Sequence, residues 1–305
     1  MWPIISSQSK SLIPAFFHAE RAHARRSYSF RDTLSGQESI DLSASRRFEN
    51  FHSALTVSIA TEGDRAMVTH GHDLPEPLDT LIDLAPSTKA AVVDLGGETA
   101  WWGALAAKGA LIFADIGYDE TERWDPARLE PLRHCYAFSP NAGEAMHYTR
   151  TDSPRDAVRA LADLVPLAMV TDGAAGAYAV DSTTGEEAYC PAVPVEEIDT
   201  TGAGDVFAAA SVLGVLAGWP LGHRLAFASL CSSLAVQQFG GSLAAPGWGD
   251  ISDWWRCVKL RAADGDVSAA GKLERYGFLD DLVPKHRVHG VRRAEGTFAS
   301  ASDAH

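Results

Sequence analysis

The sequence predicts an α/β protein: a mostly parallel sheet with helices on both faces. Three observations carry this. Short apolar runs alternate with helix-length stretches along most of the chain, the signature of strand–crossover–strand units. Several of the runs, AAVVDL at 90–95 among them, read as short buried strands. The chain has 305 residues, 46% hydrophobic and 22% charged, enough to bury a sizeable core without disulfides or metals.

The elements follow in order. SALTVSIAT and RAMVTH flank Glu62, Gly63 and Asp64 and read as a β-hairpin. After the strand at 90–95 come a helix over 99–108, the strand ALIFADI, a short strand CYAFS at 135–139 and a helix starting at AGEAMHY. A helix over 154–164 precedes the strand PLAMVT, which a turn joins to the strand GAYAVD. A second turn at 181–185 leads to a strand around AYCPAVPV. Helices are predicted at 203–217, 221–238 and 250–263, with one more amphipathic helix over 267–282. We expect an irregular leader at 1–52, a folded unit at 53–283 and a disordered tail at 284–305.

Charge and cysteines narrow the function. The net charge is −14, so a nucleic-acid role has little support, and anionic ligands must be handled by local dipoles or a metal. Residues 1–50 carry +2 while the rest carries −16. Cys135, Cys190, Cys231 and Cys257 lie far apart with no C-x-x-C; a reduced, cytoplasmic chain is expected. No apolar run approaches 18 residues, so no membrane-spanning helix is expected. His70 and His72 bracket one glycine but have no indicated third ligand.

The most informative segment runs Asp199, Thr200, Thr201, Gly202, Ala203, Gly204, Asp205, Val206, Phe207, between a strand-like run and a small-residue helix. Glycines at a helix start let backbone N–H groups converge on an anion, and the helix adds its positive dipole end. Asp205 sits just inside that start, placed to take a proton from an attacking hydroxyl. A simple strand-to-helix turn would also explain such glycines. A dinucleotide fingerprint fails because Phe207 holds its last small position, and Gly271–Lys272 lacks the rest of a P-loop.

The string DTTGAGDVF closely resembles the signature of the PfkB, or ribokinase-like, carbohydrate kinases. The resemblance implies a three-layer α/β sandwich and ATP-dependent phosphorylation of a hydroxyl on a sugar or nucleoside-like molecule. By match, Gly202, Ala203 and Gly204 form the anion hole and Asp205 is the catalytic base. Asp199 and Thr200 match positions near a monovalent-cation site, K+ for example, in some members. Asn141 and Glu144 fit an N-cap with an acid in the first turn; they also resemble the family's N-x-x-E motif, which organises Mg2+ through water. Thr171, Gly173 and Gly176 lie in an ordinary hairpin-turn context and resemble the T-x-G-x-x-G nucleotide turn. Gly241 lies in a glycine segment resembling the one near the nucleotide base. Asp115-Ile116-Gly117-Tyr118 resembles a family strand end loosely, without its Arg. A homodimer is compatible with this reading; a nucleic-acid or membrane partner is not expected.

The resemblance runs over about 53–253 and is strongest from Pro140 onward. The family's opening strand with a sugar-holding Asp, and its G-G-x-x-x-N helix start, are not found in residues 1–52, and Gly96–Gly97 is not followed by the Asn. The substrate half therefore reads as shortened or replaced, through a missing upstream region, a diverged leader or lost catalysis, with the hairpin near the family's lid region. A degenerate nucleotide-binding member of the same fold is the alternative to an active kinase. Deleting most of residues 1–50 is expected to change stability little, because an irregular leader buries little apolar area.

Overall fold

The computed structural model describes residues 55–61, 64–72, 87–95, 100–119, 121–239 and 244–286, together with Phe48 and Pro75. Residues 1–47, Gly96, Gly97, Gly241 and the tail beyond 286 lie outside the described residues, so the expectations placed on them do too.

The expected hairpin is present. Strands β1 (Leu55–Thr61) and β2 (Asp64–His70) pair antiparallel, Leu55 opposite His70 and Thr61 opposite Asp64, as a two-stranded sheet of their own. The main sheet has six strands in chain order: β3 (Ala90–Asp94), β4 (Leu111–Asp115), β5 (Ala137–Phe138), β6 (Leu167–Thr171), β7 (Ala177–Asp181) and β8 (Glu186–Cys190). β3 to β6 pair in parallel, and β6 to β8 pair antiparallel.

Adding parallel strands in one direction with right-handed crossovers puts every crossover on one face. Helix α1 (Ala100–Ala107), a 3-10 segment (Pro126–His134), α2 (Ala142–Thr149) and α3 (Pro154–Ala162) are those crossovers. The opposite face is covered after the sheet is complete, by α4 (Ala203–Leu216), α5 (Leu221–Ala235), α6 (Trp248–Ala263), α7 (Val267–Tyr276) and α8 (Leu279–Leu282). The strands alternate between the two cores, as a period of two requires. Phe113, Ala137, Leu167, Met169, Ala177 and Ala179 join one apolar cluster with α4–α7 residues. Ile112, Phe138, Ala168, Val170 and Val180 join the other, with Trp102, Tyr148 and Leu161. Full burial of a side chain such as Phe227 or Phe138 contributes about 1.5–3 kcal/mol.

Local signals explain the helix ends. Ser153 caps α3 through its hydroxyl, which accepts from the Asp156 amide at 3.1 Å, and Pro154 opens the first turn. Ala157, Val158 and Leu161 form its buried stripe. Two expectations are corrected. The strand around AYCPAVPV stops at Cys190, because Pro191 has no N–H to continue a ladder. The single helix over 267–282 is two helices: the chain turns at Gly277 and Phe278, where the Asp280 amide reaches the Gly277 carbonyl at 3.1 Å. That turn brings both Tyr276 and Leu279 fully into the core.

Candidate functional site

The carboxyl ends of β3, β4, β5 and β6 lie side by side, because all four strands run in parallel. Ligands of open α/β sheets collect at this edge. β3 ends at Asp94 and β4 at Asp115, β5 leads into Asn141 and Glu144, and β6 ends at Thr171. The start of α4 meets the same edge: a Cβ placed on Gly204 would lie 3.9 Å from Asp115 Oδ2. The structure therefore gathers Asn141, Glu144 and the 202–205 turn around Asp115, a residue that the sequence marks only loosely. Its Asp at a strand terminus was the available signal; its neighbours are set by strand pairing.

The turn is built by its own residues. Gly202 is the residue before α4 and adopts φ 77° and ψ 2°, the left-handed region that glycine enters without a Cβ penalty. Asp199 Oδ1 accepts from the Thr201 amide at 2.9 Å, and the Ala203 amide donates to the Thr200 carbonyl at 3.2 Å. The amides of Gly204 and Asp205 fall in the first turn, where no intrahelical acceptor exists, and Gly202 has no side chain to cap them. Gly204 itself is helical, so among the two glycines only Gly202 answers a backbone demand. Asp199 is fixed from behind, since its amide and that of Ile198 both donate to the Val236 carbonyl of α5's end.

Asn141 and Glu144 form a capping box at the head of α2. The Glu144 amide donates to Asn141 Oδ1 at 2.9 Å, and the Asn141 amide donates to Glu144 Oε2 at 3.0 Å. Glu144 is buried at 8% exposure, and burial raises its carboxyl against the pull of its Asn141 bonds, with Asp94 adding repulsion.

The Asp115 carboxyl is raised to about 7. Desolvation is the main cause; the Ile116 amide, at 2.8 Å from Oδ1, opposes it, and Glu144, Asp205 and Asp94 add like charge. Asp205 stands at the accessible mouth, yet the protein around it desolvates the carboxyl enough to raise it as well. A raised carboxyl is a better proton acceptor once ionised. Among the described residues no three His, Cys, Asp or Glu side chains converge to hold a metal ion directly.

The Asp115 shift has a consequence for stability. The folded value lies above the unfolded one, so the group carries no penalty below pH ~4 and destabilises increasingly as pH rises to about 7. At ~1.4 kcal/mol per pH unit of displacement, the effect at pH 8 is on the order of 4 kcal/mol. Asp115→Asn should therefore raise the melting temperature by on the order of 10 °C at pH 8, and by less than half of that at pH 5. Equal increments at both pH values, read by differential scanning calorimetry, would contradict the burial of a repelled charge here.

Beyond Thr171 the chain makes the β6–β7 turn. Gly173 to Ala175 form one 3-10 turn, closed by the Asp172 amide to the Gly176 carbonyl at 2.7 Å and the Gly176 amide to the Gly173 carbonyl at 3.1 Å. Gly173 has φ 49° with open space around it; Gly176 has φ 113°, and a Cβ there would lie 2.2 Å from the Cys190 carbonyl oxygen. Gly176 is thus required by packing, whatever else the turn does. Thr171 is tied to the α2 entrance, its amide donating to the Pro140 carbonyl at 3.2 Å.

The other residues singled out by sequence fall elsewhere. His70 and His72 contact each other edge-on at 5.1 Å between ring centroids. Trp102 is buried in the α1-side core, and Trp255 bonds Asp280 through its indole N–H at 2.8 Å. Cys135, Cys190 and Cys231 are buried free thiols. No described helix is long and apolar enough to cross a membrane.

Comparison with known proteins gives the family and the fold. The model of the pfkB family carbohydrate kinases matches residues 80–247. A Schizosaccharomyces pombe ribokinase is 35% identical over 136 residues, which cover 40% of this chain and 42% of that one. The chain thus spans well under half the length of this relative. Among solved structures, the Burkholderia thailandensis nucleoside kinase in complex with inosine superposes with a TM-score of 0.62 at 19% identity, over 76% of each chain. A ribokinase II candidate from E. coli in complex with ATP and Mg2+ gives 0.59 at 18% identity, over 76% of this chain and 80% of that one. At these identities the structural likeness is one of fold, the ribokinase-like sandwich.

Proposed function

Since this chain belongs to the pfkB family of carbohydrate kinases, we propose that it transfers a phosphoryl group from ATP to a hydroxyl of a sugar or nucleoside-like acceptor. The observation that supports this most is the position of Asp205. It sits on the first turn of α4, one residue past the glycine turn and facing the Asp115 strand end. In this reading Asp205 accepts the proton of the acceptor hydroxyl as the new O–P bond forms and the bond from the γ-phosphorus to the bridging oxygen breaks, releasing ADP. The first-turn amides and the positive end of α4 stabilise the charge on the moving phosphoryl group. Such transfer rests on positioning and electrostatics, which is what a preformed turn supplies.

Mg2+ fits the donor set at the strand ends. Asn141, Glu144 and Asp115 offer oxygen donors in an environment where burial, with nearby like charge adding to it, raises both carboxyls. Mg2+ usually keeps several of its waters, so these side chains would hold it through its hydration shell. Bound there, the ion would neutralise phosphate charge. Thr171, Gly173, Gly176 and Gly241 are assigned to the nucleotide side, and Asp199 and Thr200 to a monovalent cation such as K+. The free buried thiols suit a reduced cytoplasmic setting.

The test is a thermal-shift and coupled turnover screen of the full chain with Mg·ATP against neutral sugars and nucleosides. Mg·ATP should raise the melting temperature by mass action, and at least one acceptor should be phosphorylated. A shift with Mg·ATP but no turnover on any acceptor would favour the degenerate nucleotide-binding reading. No shift and no turnover would overturn both.

A further inference from the structure

We propose that Tyr189 is a positioning residue for nucleotide binding, acting through the 172–176 turn; this rests on the assignment of that turn to the nucleotide. The Tyr189 hydroxyl donates to the Ala175 carbonyl at 2.7 Å, fourteen residues away in sequence. Among the described residues it is the one side-chain tether on a short turn that its own residues close by backbone bonds. The anchor is well held. Two residues earlier, Glu187 accepts two bonds from Arg159 of α3, at 2.9 and 2.8 Å, which pins β8 to a helix. The Tyr189 ring packs on Tyr178 of β7, with centroids 4.9 Å apart.

The turn also rests on the same stretch of chain from below. Gly176 approaches Cys190, Pro191 and Ala192 so closely that a Cβ would lie within 2.9 Å of each. The end of β8 therefore fixes the turn at two successive residues, Ala175 by side chain and Gly176 by backbone approach. Gly173 at the free side has open space around it. Fixing Ala175 from behind leaves Thr171 and Gly173 presented at the strand edge in one orientation. A ligand that needs this orientation does not then have to order the turn on binding.

Tyr189→Phe removes the tether and keeps the ring pair. Loss of one neutral hydrogen bond predicts about a fivefold rise in the Mg·ATP dissociation constant, measured by titration calorimetry on the full chain. In turnover, KM for ATP should rise by the same factor while kcat and the acceptor KM stay unchanged. Amides 173–176 should exchange with deuterium faster in the variant without ligand, with the melting temperature lowered by no more than a few degrees. Tyr178→Phe, which leaves the Tyr189–Ala175 bond in place, should behave as the unaltered chain. Equal Mg·ATP affinity for the unaltered chain and Tyr189→Phe would overturn the role of Tyr189 alone. An unaltered chain that binds no Mg·ATP would overturn the kinase reading, and this inference with it.

Discussion

Asp205→Asn is expected to lower turnover by about 10²–10⁴-fold, the usual contribution of a general base, while Mg·ATP affinity stays close to that of the unaltered chain. The amide is nearly isosteric with the carboxyl but cannot accept the hydroxyl proton. The surrounding geometry does not depend on the charge: the turn is closed by Asp199 Oδ1 and the Thr200 carbonyl, and Gly202 sets the helix start by its backbone. Removing one of several mutually repelling carboxylates also relieves Asp115, whose shift includes Asp205 among its causes. The variant should therefore be at least as stable as the unaltered chain at pH 8. Steady-state kinetics with a productive acceptor, paired with calorimetric ATP titration, separates the two effects. Near-normal turnover in the Asn variant would remove Asp205 from the base role.

Gly176→Ala should destabilise the protein by about 3–6 kcal/mol, from backbone strain and overpacking together. At φ 113° an L-residue is strained wherever it sits. The added methyl would also meet the Cys190 carbonyl oxygen at 2.2 Å, Pro191 Cα at 2.7 Å and the Ala192 amide nitrogen at 2.9 Å. All three are backbone atoms, and Cys190 is paired with Ala177 and buried in the core, so retreat would disturb the β7–β8 ladder. Urea unfolding monitored by tryptophan fluorescence reads the loss; a change below ~1 kcal/mol would mean that the turn relaxes freely. The comparison with Gly173→Ala carries the functional information. A methyl added at Gly173 would meet no atom within 4 Å, so its cost is confined to the strain of an L-residue at φ 49°, about 1–2 kcal/mol. Weakened nucleotide binding there reports the ligand rather than the packing, whereas at Gly176 the two are mixed.

Much of this site was legible in the chain itself because its parts are local. The glycine turn, the left-handed Gly202 and the acid in the first turn of α4 occupy consecutive positions, and their conformations follow from residue type and dipole. Asn141 and Glu144 are three apart, so the capping box could be anticipated from spacing alone. Most strands and helices of 90–263 follow from short apolar runs and periodicity, the 3-10 segment at Pro126–His134 and the end of β8 at Cys190 excepted, and the resemblance carried by DTTGAGDVF named the family that the match over 80–247 bears out. The break between α7 and α8 was not legible: the pattern over 267–282 is helical throughout, and burying both Tyr276 and Leu279 is a demand of the core. Nor was the gathering of Asp94 and Asp115 with Glu144 and Asp205. Those carboxyls come from four separate segments, and what raises Asp115 is desolvation and like charge supplied by parallel pairing and by the seat of α4. The same holds for Gly176 under Cys190 and for Tyr189 on Ala175. Local sequence determined which groups could act and how each turn or cap is shaped. Tertiary structure decided which of them meet, because burial and electrostatic coupling depend on distances that only the assembled sheet and its covering helices set.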